Sequence, residues 1–284
     1  MQRRHSMRHL AWRGTVAAVS QAMMFSGLYP LVPHLLRVVQ DRRPRAPVAA
    51  GRPEATRHVG SVRTALTEWG MAMAVSAVRP VGFFPLPGAR QHGPRPIIVI
   101  HGYAMNRANF VPLAYRLARV GLGPIIGFEY WTLGRVAAGA RQLAWFVEHV
   151  QTVTGAPQVD IIGHSMGGVV GRYYVQLLGG DGAVANLITI GTPHIGTAVS
   201  ELGVGHPARE LLVGSTLVQR LSFAPPPRDT RVTMIFSHAD ALVPASTQDA
   251  LQIPRSERIV YDDLGHVSML GSRRVARDII TRLK

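Results

Sequence analysis

The stretch 159–170 constrains the fold of this chain more than any other part of its sequence. An apolar run leads into Gly163-His-Ser-Met-Gly167, and a run with helical character follows. The pattern G-x-S-x-G between a strand and a helix is typical of a tight turn that lifts the serine hydroxyl clear of a sheet. Gly163 and Gly167 suit this turn because side chains there would collide where the chain folds back. Ser165 is therefore the candidate nucleophile, the alternative being an ordinary glycine-rich turn.

Strands and helices alternate along the sequence on both sides of this turn. Strands are predicted at 97–100, 124–128, 159–162, 185–190, 231–236 and 258–261, and helices at 110–120, 137–153, 168–178 and 273–283. The strands are almost wholly apolar, which is typical of a parallel sheet covered on both faces. We therefore predict an α/β fold with a mainly parallel central sheet and helices on both faces. Residues 192–228 break the alternation and predict a lid-like insertion at the strand ends, with a candidate helix at 208–221.

Positive charge is concentrated in the first 63 residues. They hold eleven arginines against Asp41 and Glu54, which gives +9 of the net charge of +15. A nucleic-acid binder usually combines a basic stripe with interleaved aromatic side chains on a recognisable module, and this sequence has none. We therefore expect no nucleic-acid partner. Basic residues that flank an apolar segment more often indicate a membrane surface.

The apolar segment is 15–36, which contains no Asp, Glu, Lys or Arg and is long enough to cross a bilayer. Arg37 follows it directly and the nearest small-residue cleavage site lies far downstream, so a cleaved signal peptide fits poorly. A signal anchor, an interfacial helix and an apolar helix packed on the domain all remain open. We expect attachment at the cytoplasmic face of the inner membrane, or a cytoplasmic protein, rather than secretion.

The division into domains follows from these segments. Residues 1–90 are predicted to be an N-terminal basic and apolar helical segment with a linker at 40–60, and 91–284 the catalytic domain with its lid-like insertion. Within the first part, an amphipathic helix is predicted to pack through one stripe of residues. These are Val62, Leu66, Trp69, Met73 and Ala77, which recur at helical spacing.

A serine hydroxyl becomes a good nucleophile only when a base takes its proton and a carboxylate orients that base. In serine hydrolases that are built on a parallel sheet, the nucleophilic serine comes first along the chain, then the acid, then the histidine. Asp240 follows the strand 231–236, and His266 follows the last strand, so both are expected at the carboxyl edge where such sheets place their functional loops. The rival carboxylates are Asp229, Asp249, Asp262 and Asp263, and the rival base is His194.

Attack on a carbonyl creates an oxyanion that needs N–H donors already in place. The amide of Met166, directly after the serine, is one expected donor. The amide of Tyr103 is the other, because Gly102 allows the loop after the first central strand to approach closely. Each such donor is worth about 2.7–4 kcal/mol of transition-state stabilisation. The residues expected to shape the site are His101, Gly102, Gly163, His164, Gly167 and His194.

No cofactor and no metal are expected. The sequence contains no cysteine, which excludes disulfides, thiolate catalysis and cysteine-based metal sites. No carboxylate or histidine cluster with metal-ligand spacing accompanies the candidate triad.

Five motifs together resemble one known family. They are Ile98-Val-Ile-His-Gly102, Gly163-His-Ser-Met-Gly-Gly168, Ile188-Thr-Ile-Gly-Thr-Pro-His194, Asp240-Ala-Leu-Val-Pro244 and Gly265-His266. In this order they resemble the bacterial lipase and esterase branch of the α/β-hydrolase superfamily, and they are similar to GPI inositol-deacylase-like hydrolases. The resemblance covers about residues 96–284. It implies hydrolysis of an acyl-ester or lipid substrate, with Ser165, Asp240 and His266 as the triad and Tyr103 and Met166 as oxyanion positions.

The sequence departs from this family in two places. The oxyanion loop reads His-Gly-Tyr-Ala instead of the glycine-rich form, and the residues around His266 lack the acidic and Gln residues of the calcium site in secreted triacylglycerol lipases. Two other functions remain open. One is an acyltransferase with the same triad, and the other is a non-catalytic, membrane-associated binding protein on a hydrolase scaffold.

Overall fold

The computed structural model of the protein describes residues 62–77, 82 and 84–284. Within them, six parallel strands form one sheet in the order β2-β1-β3-β4-β5-β6. The strands are β1 (Ile97–Ile100), β2 (Ile125–Phe128), β3 (Val159–His164), β4 (Val184–Ile190), β5 (Arg231–Ser237) and β6 (Ser256–Tyr261). The predicted parallel sheet is confirmed, and each predicted strand is present within a few residues of its expected bounds.

Eight α-helices occur in the described part of the chain. They are α1 (Val62–Ala77), α2 (Val111–Ala118), α3 (Val136–Thr154), α4 (Met166–Leu177), α5 (Pro207–Glu210), α6 (Thr216–Ser222), α7 (Ser268–Gly271) and α8 (Arg273–Leu283). Short 3-10 helices span Arg107–Phe110, Ala198–Leu202 and Ala245–Gln248. The candidate helix at 208–221 is two helices, because the chain turns at 211–215 and Ser215 caps a new helix by accepting from Val218 N.

The sheet is apolar on both faces because both faces are covered. Ile98, Ile100 and Ile161 belong to a core that includes residues of α3 and α4. Ile97, Val99 and Ile162 belong to a second core that includes residues of α2 and α8. Successive side chains of a strand point to opposite faces, so β1 to β5 each supply both cores, which explains their nearly continuous apolar runs in the sequence. The edge strand β6 packs only against the second core, through Ile259 and Tyr261.

The predicted packing face of α1 is wrong, although the helix is present. Leu66, Trp69 and Met73 are exposed to 63%, 46% and 41%, whereas Thr64, Glu68 and Ala72 are buried. The buried face lies against the domain, where the Glu68 carboxylate accepts from two backbone amides. These two hydrogen bonds offset part of the cost of burying the carboxylate. Hydrophobic periodicity in the sequence does not indicate such partners.

The apolar segment 15–36 and the linker 40–60 lie outside the described residues. Among the helices of the described part, none combines the length and the apolar character that a membrane crossing requires.

Candidate active site

Ser165 sits on a strained turn between β3 and α4. Its backbone has φ 53° and ψ −126°, a combination that a residue with a side chain adopts only when its surroundings enforce it. A Cβ at Gly163 would lie 2.5 Å from Gly168 Cα, and one at Gly167 would overlap the carbonyl oxygen of Ile100. The glycines predicted to permit the turn are therefore needed for close backbone approach on both sides of the serine.

The turn is held at the carboxyl edge of the sheet, next to the loop after β1. The amide of Ser165 donates to Ile190 O at 2.9 Å, which ties the serine to the end of β4. A Cβ at Gly102 would lie 3.0 Å from Ser165 Cβ, so the loop after β1 passes directly beside the serine. Met166 begins α4, and amides in the first turn of a helix have no helical acceptor. Both predicted oxyanion segments thus border Ser165.

Asp240 and His266 form a buried pair at the same edge. His266 Nδ1 lies 2.7 Å from Asp240 Oδ2, and both side chains are almost completely buried. The other carboxylate oxygen of Asp240 accepts from the amides of Leu242 and Val243 at 2.8 and 2.9 Å. Because a carboxylate can only accept, Nδ1 of the neutral imidazole carries the proton and Nε2 is left as the basic nitrogen.

The charges around His266 raise its pKa. Burial alone would lower the pKa of His266, but the charge and hydrogen bond of Asp240, together with the charge of Glu68, hold its pKa above the ordinary value. The imidazole is therefore a stronger base than a free histidine, which suits a group that must take a proton from a hydroxyl.

His164 connects the turn of Ser165 to the loop 262–267 that carries His266, here called the histidine loop. Its ring lies 4.7 Å from the His266 ring, measured between centroids, and its Nε2 donates to the backbone oxygen of His266 at 3.0 Å. Burial lowers the pKa of His164 to about 3, with the neighbouring His266 contributing in the same direction. His164 is thus a neutral donor that brings the residue next to Ser165 into contact with the backbone of His266.

The rival acids do not reach this histidine. Asp249 pairs with Arg258 at 2.7 Å, and Asp263 with Arg274 at 2.5 Å. Asp262 is exposed beside His238, and Asp229 lies exposed before β5, at the opposite edge of the sheet. The rival base His194 is buried, with Nε2 2.9 Å from Thr189 Oγ1 and its ring against Phe236. Its ring faces the core, so any part it has in shaping the site comes from its backbone.

His101 braces the loop after β1. Its Nε2 lies 3.0 Å from Glu129 Oε2, its ring stacks on Tyr130, and the Tyr130 hydroxyl donates to His101 O at 2.9 Å. Burial would raise the pKa of Glu129, but its contacts with His101 and Arg107 hold that pKa below the ordinary value. The contact with His101 is therefore one between a carboxylate and an imidazole.

The insertion 192–228 is fastened to this loop and to α4. The Tyr103 hydroxyl donates to Val204 O at 2.9 Å and accepts from Val204 N at 3.0 Å. The buried Arg172 of α4 donates to His194 O at 3.1 Å and to Leu221 O at 2.8 Å. Burial lowers the pKa of Arg172 to about 10, so it remains a cation at neutral pH. Tyr103 therefore joins the predicted oxyanion loop to the insertion through its side chain.

Part of the sequence is similar to known proteins. The family model for palmitoyl protein thioesterase matches residues 129–226. A triacylglycerol lipase from Pseudarthrobacter phenanthrenivorans is 34% identical over 116 residues, which is 37% of this chain and 35% of that protein. This chain thus spans about a third of the length of that relative.

Solved structures share the fold. The mature form of the lipase BlEst2 from Bacillus licheniformis superposes with a TM-score of 0.60 at 14% identity, over 67% of this chain and 92% of that one. Lipase B from Aspergillus fumigatus superposes with a TM-score of 0.61 at 13% identity, over 70% of this chain and 54% of that one. The chain has the predicted α/β-hydrolase fold. The predicted resemblance to lipases and esterases is confirmed.

Two residues of this candidate site were not predicted from the sequence. Gly191, directly after β4, has φ 54°, and a Cβ there would lie 3.1 Å from both Asp240 Oδ2 and His266 Nδ1. Its place at the end of a strand, at the same edge as the candidate triad, was the available signal. Glu68 of α1 contacts the backbone after His266. A single glutamate within a helical segment gives no comparable signal.

The described residues of the protein contain no group of three or more His, Cys, Asp or Glu arranged to hold a metal ion. The pair of Asp240 and His266 lies at the same edge of the sheet as Ser165, and His164, directly before Ser165, donates to the backbone of His266.

Proposed function

We propose that this protein is a serine carboxylic-ester hydrolase, an esterase or lipase that acts through an acyl-enzyme. Ser165 is the nucleophile, His266 the general base and acid, and Asp240 the carboxylate that orients the imidazole. The observation that carries the proposal is the 2.7 Å contact of His266 Nδ1 with Asp240 Oδ2, at the sheet edge where Ser165 occupies its strained turn. An activated serine requires a base that is oriented in this way by a carboxylate.

The reaction proceeds in two halves. Ser165 Oγ attacks the ester carbonyl carbon while its proton passes to Nε2 of His266, and the negative oxygen accepts from the amides of Tyr103 and Met166. Collapse breaks the bond to the alcohol, which leaves with the proton from His266, and an acyl-Ser165 ester remains. Water then attacks this ester and gives a proton to His266. As the bond between the acyl carbon and Ser165 Oγ breaks, His266 returns this proton to Ser165 Oγ, and the carboxylic acid and free Ser165 are released.

The substrate is proposed to be an acyl ester or lipid. The relative named triacylglycerol lipase supports an oxygen ester. The palmitoyl protein thioesterase model, which matches the segment that contains Ser165, supports a thioester as a second candidate class. Oxygen esters and thioesters both react through acylation and then deacylation of Ser165, because only the leaving group differs. Initial rates on matched oxygen esters and thioesters of one acyl chain would rank the two classes.

Residues 15–36 are proposed to attach the enzyme to a membrane surface. Support comes from the uncharged length of this segment and the basic residues on both sides of it. Such an attachment would hold the catalytic domain where acyl lipids are found.

The direct kinetic test is Ser165→Ala. Turnover of a p-nitrophenyl ester should fall by a factor on the order of 10⁴–10⁶, because no other group can form the acyl-enzyme. Circular dichroism should be unchanged, since alanine leaves the turn in place. Ser246→Ala, at an exposed serine of the 3-10 helix Ala245–Gln248, is the matched control and should keep wild-type turnover. A folded Ser165→Ala variant with wild-type turnover would refute the assignment.

A further inference from the structure

Glu68 belongs to α1, outside the segment that carries the hydrolase motifs, yet it reaches the loop of His266. Glu68 is only 7% exposed. Oε1 accepts from Val267 N at 2.6 Å and Oε2 from Ser268 N at 2.9 Å. These are the two residues that directly follow His266, so one carboxylate holds both amides of the segment on which the base is mounted.

The residue before His266 is also fitted to Glu68. A Cβ at Gly265 would overlap Glu68 Oε2 and would lie 2.6 Å from Cδ and 3.0 Å from Cβ. The whole side chain of Glu68, and not only its flexible end, therefore lies against Gly265. With His164 donating to His266 O, the backbone of 265–268 is held from two directions.

The charges that face His266 come from three elements. Asp240, after β5, contacts Nδ1, Glu68 lies behind the backbone on α1, and His164 at the end of β3 is neutral. Burial, together with the charge of Asp240, holds the pKa of Glu68 above its ordinary value, although the two amides and His266 act to lower it. Both oxygens of Glu68 accept from N–H groups, an arrangement that favours the ionised carboxylate. Glu68 thus adds a second negative charge near an imidazole that becomes cationic during the reaction.

We propose that Glu68 is a positioning residue for the catalytic base: its buried carboxylate fixes the backbone after His266 and supports the imidazolium together with Asp240. The inference rests on the proposed function, because it assigns His266 as the base. Misplacement of a catalytic group by about 1 Å costs on the order of 10²-fold in rate, so a backbone clamp next to the base affects turnover directly.

The test uses Glu68→Gln in the full-length chain. Glutamine keeps the size and one acceptor oxygen but removes the charge, so the pKa of His266 should fall. The base then stays unprotonated to lower pH. In the pH profile of kcat/KM, the limb on the acid side should therefore move to lower pH. We expect kcat to fall about 10-fold while KM for a short ester changes less than about twofold, since no contact with substrate is removed.

Asp181→Asn is the matched control. The Asp181 carboxylate also accepts from backbone amides, those of Arg228, Asp229 and Thr230, but it does so before β4 and β5, at the opposite edge of the sheet. Its replacement should lower Tm without moving the acid limb. Glu68→Asp completes the set: it keeps the charge but is one methylene shorter, and should keep the wild-type limb with a reduced kcat.

A readout that does not depend on turnover separates this inference from the proposed function. NMR titration of the His266 ring reports its pKa in each variant. An acid limb and a His266 pKa that stay at wild-type values in Glu68→Gln would overturn the role of Glu68, whatever the stability of the variant. Should Glu68→Gln fail to fold, wild-type kcat in Glu68→Asp would overturn it instead. Activity that survives Ser165→Ala would refute the proposed function and leave the effect of Glu68 on the His266 pKa measurable.

Discussion

At the scale of single residues, the central contact is between Asp240 and His266. It fixes which imidazole nitrogen carries the proton, and it raises the pKa of the ring against the effect of burial. Both effects depend on the carboxylate charge, so an amide of the same shape separates charge from packing.

Asp240→Asn should therefore retain Ser165 and the fold but hold His266 in the wrong tautomer. We expect turnover to fall by a factor on the order of 10⁴. The acid limb of the residual activity should also move to lower pH, because loss of the neighbouring charge lowers the pKa of His266. Asp249→Asn, whose carboxylate pairs with Arg258, is the control and should keep its activity. A loss of only a few-fold in Asp240→Asn would point to a different carboxylate.

The residues that could be predicted are those attached to strand ends. Asp240 and His266 follow strands that were recognisable as apolar runs, and parallel strands gather their carboxyl ends at one edge. Glu68 could not be predicted, because its partners are backbone amides 199 and 200 residues away. Backbone amides are the same at every position, so no side-chain pattern marks such a contact.

At the scale of elements, the insertion 192–228 makes direct hydrogen bonds with a loop of the candidate site. Its short helices were predicted as one, because the apolar periodicity of 208–221 continues through the turn that separates them. The side chain of Tyr103 joins the insertion to the loop whose amide is a proposed oxyanion donor. The position of that amide is thereby coupled to the position of the insertion.

Tyr103→Phe should weaken this coupling. The change removes one hydroxyl that both donates to and accepts from Val204, so we expect a loss of about 1 kcal/mol in the free energy of unfolding. For a domain of this size, that corresponds to a decrease of about 2–4 °C in Tm.

Turnover of Tyr103→Phe should fall more than KM rises, because the oxyanion interaction is made in the transition state. Tyr115→Phe, at an exposed tyrosine of α2, serves as the control. A variant with wild-type kcat would show that the insertion and the oxyanion loop are not coupled through this hydroxyl.

The same limit of periodicity applies to α1. Spacing predicted the helix correctly, but the apolar stripe that suggested its packing face is largely exposed. The face that packs carries Thr64, Glu68 and Ala72, and the first two have hydrogen-bond partners in the histidine loop. The spacing of apolar residues therefore predicted correctly that this segment is a helix. Which face of the helix packs depends on polar partners that are known only from the tertiary structure.

At the scale of the whole molecule, the sheet brings every candidate group to one edge. The loops after β1, β3, β4, β5 and β6 supply Gly102, Ser165, Gly191, Asp240 and His266 in turn. This gathering follows from the parallel order of the strands, which is why the alternation of apolar strands and helices predicted both the fold and the candidate triad. Helix α1, which precedes the predicted catalytic segment, packs against residues 263–268 through Thr64 and Glu68.

Deletion of residues 1–60 tests how the segment before α1 contributes. The truncated protein keeps α1 and Glu68, so it should fold and hydrolyse short water-soluble esters at close to the wild-type rate. The full-length protein should sediment with membranes, and the truncated one should not, because the uncharged segment 15–36 is removed. Full-length protein that stays in the supernatant, with a truncated form that unfolds, would assign 15–36 to the folded domain.

Covalent labelling by a fluorophosphonate tests directly whether Ser165 is an activated nucleophile, since such a reagent reacts with a serine only when a neighbouring base has activated it. We expect that one site is modified, that peptide mapping by mass spectrometry assigns it to Ser165, and that labelling is lost in Ser165→Ala while persisting in Ser246→Ala. Modification of another serine, or wild-type protein that hydrolyses esters without being labelled at Ser165, would show that Ser165 is not the nucleophile.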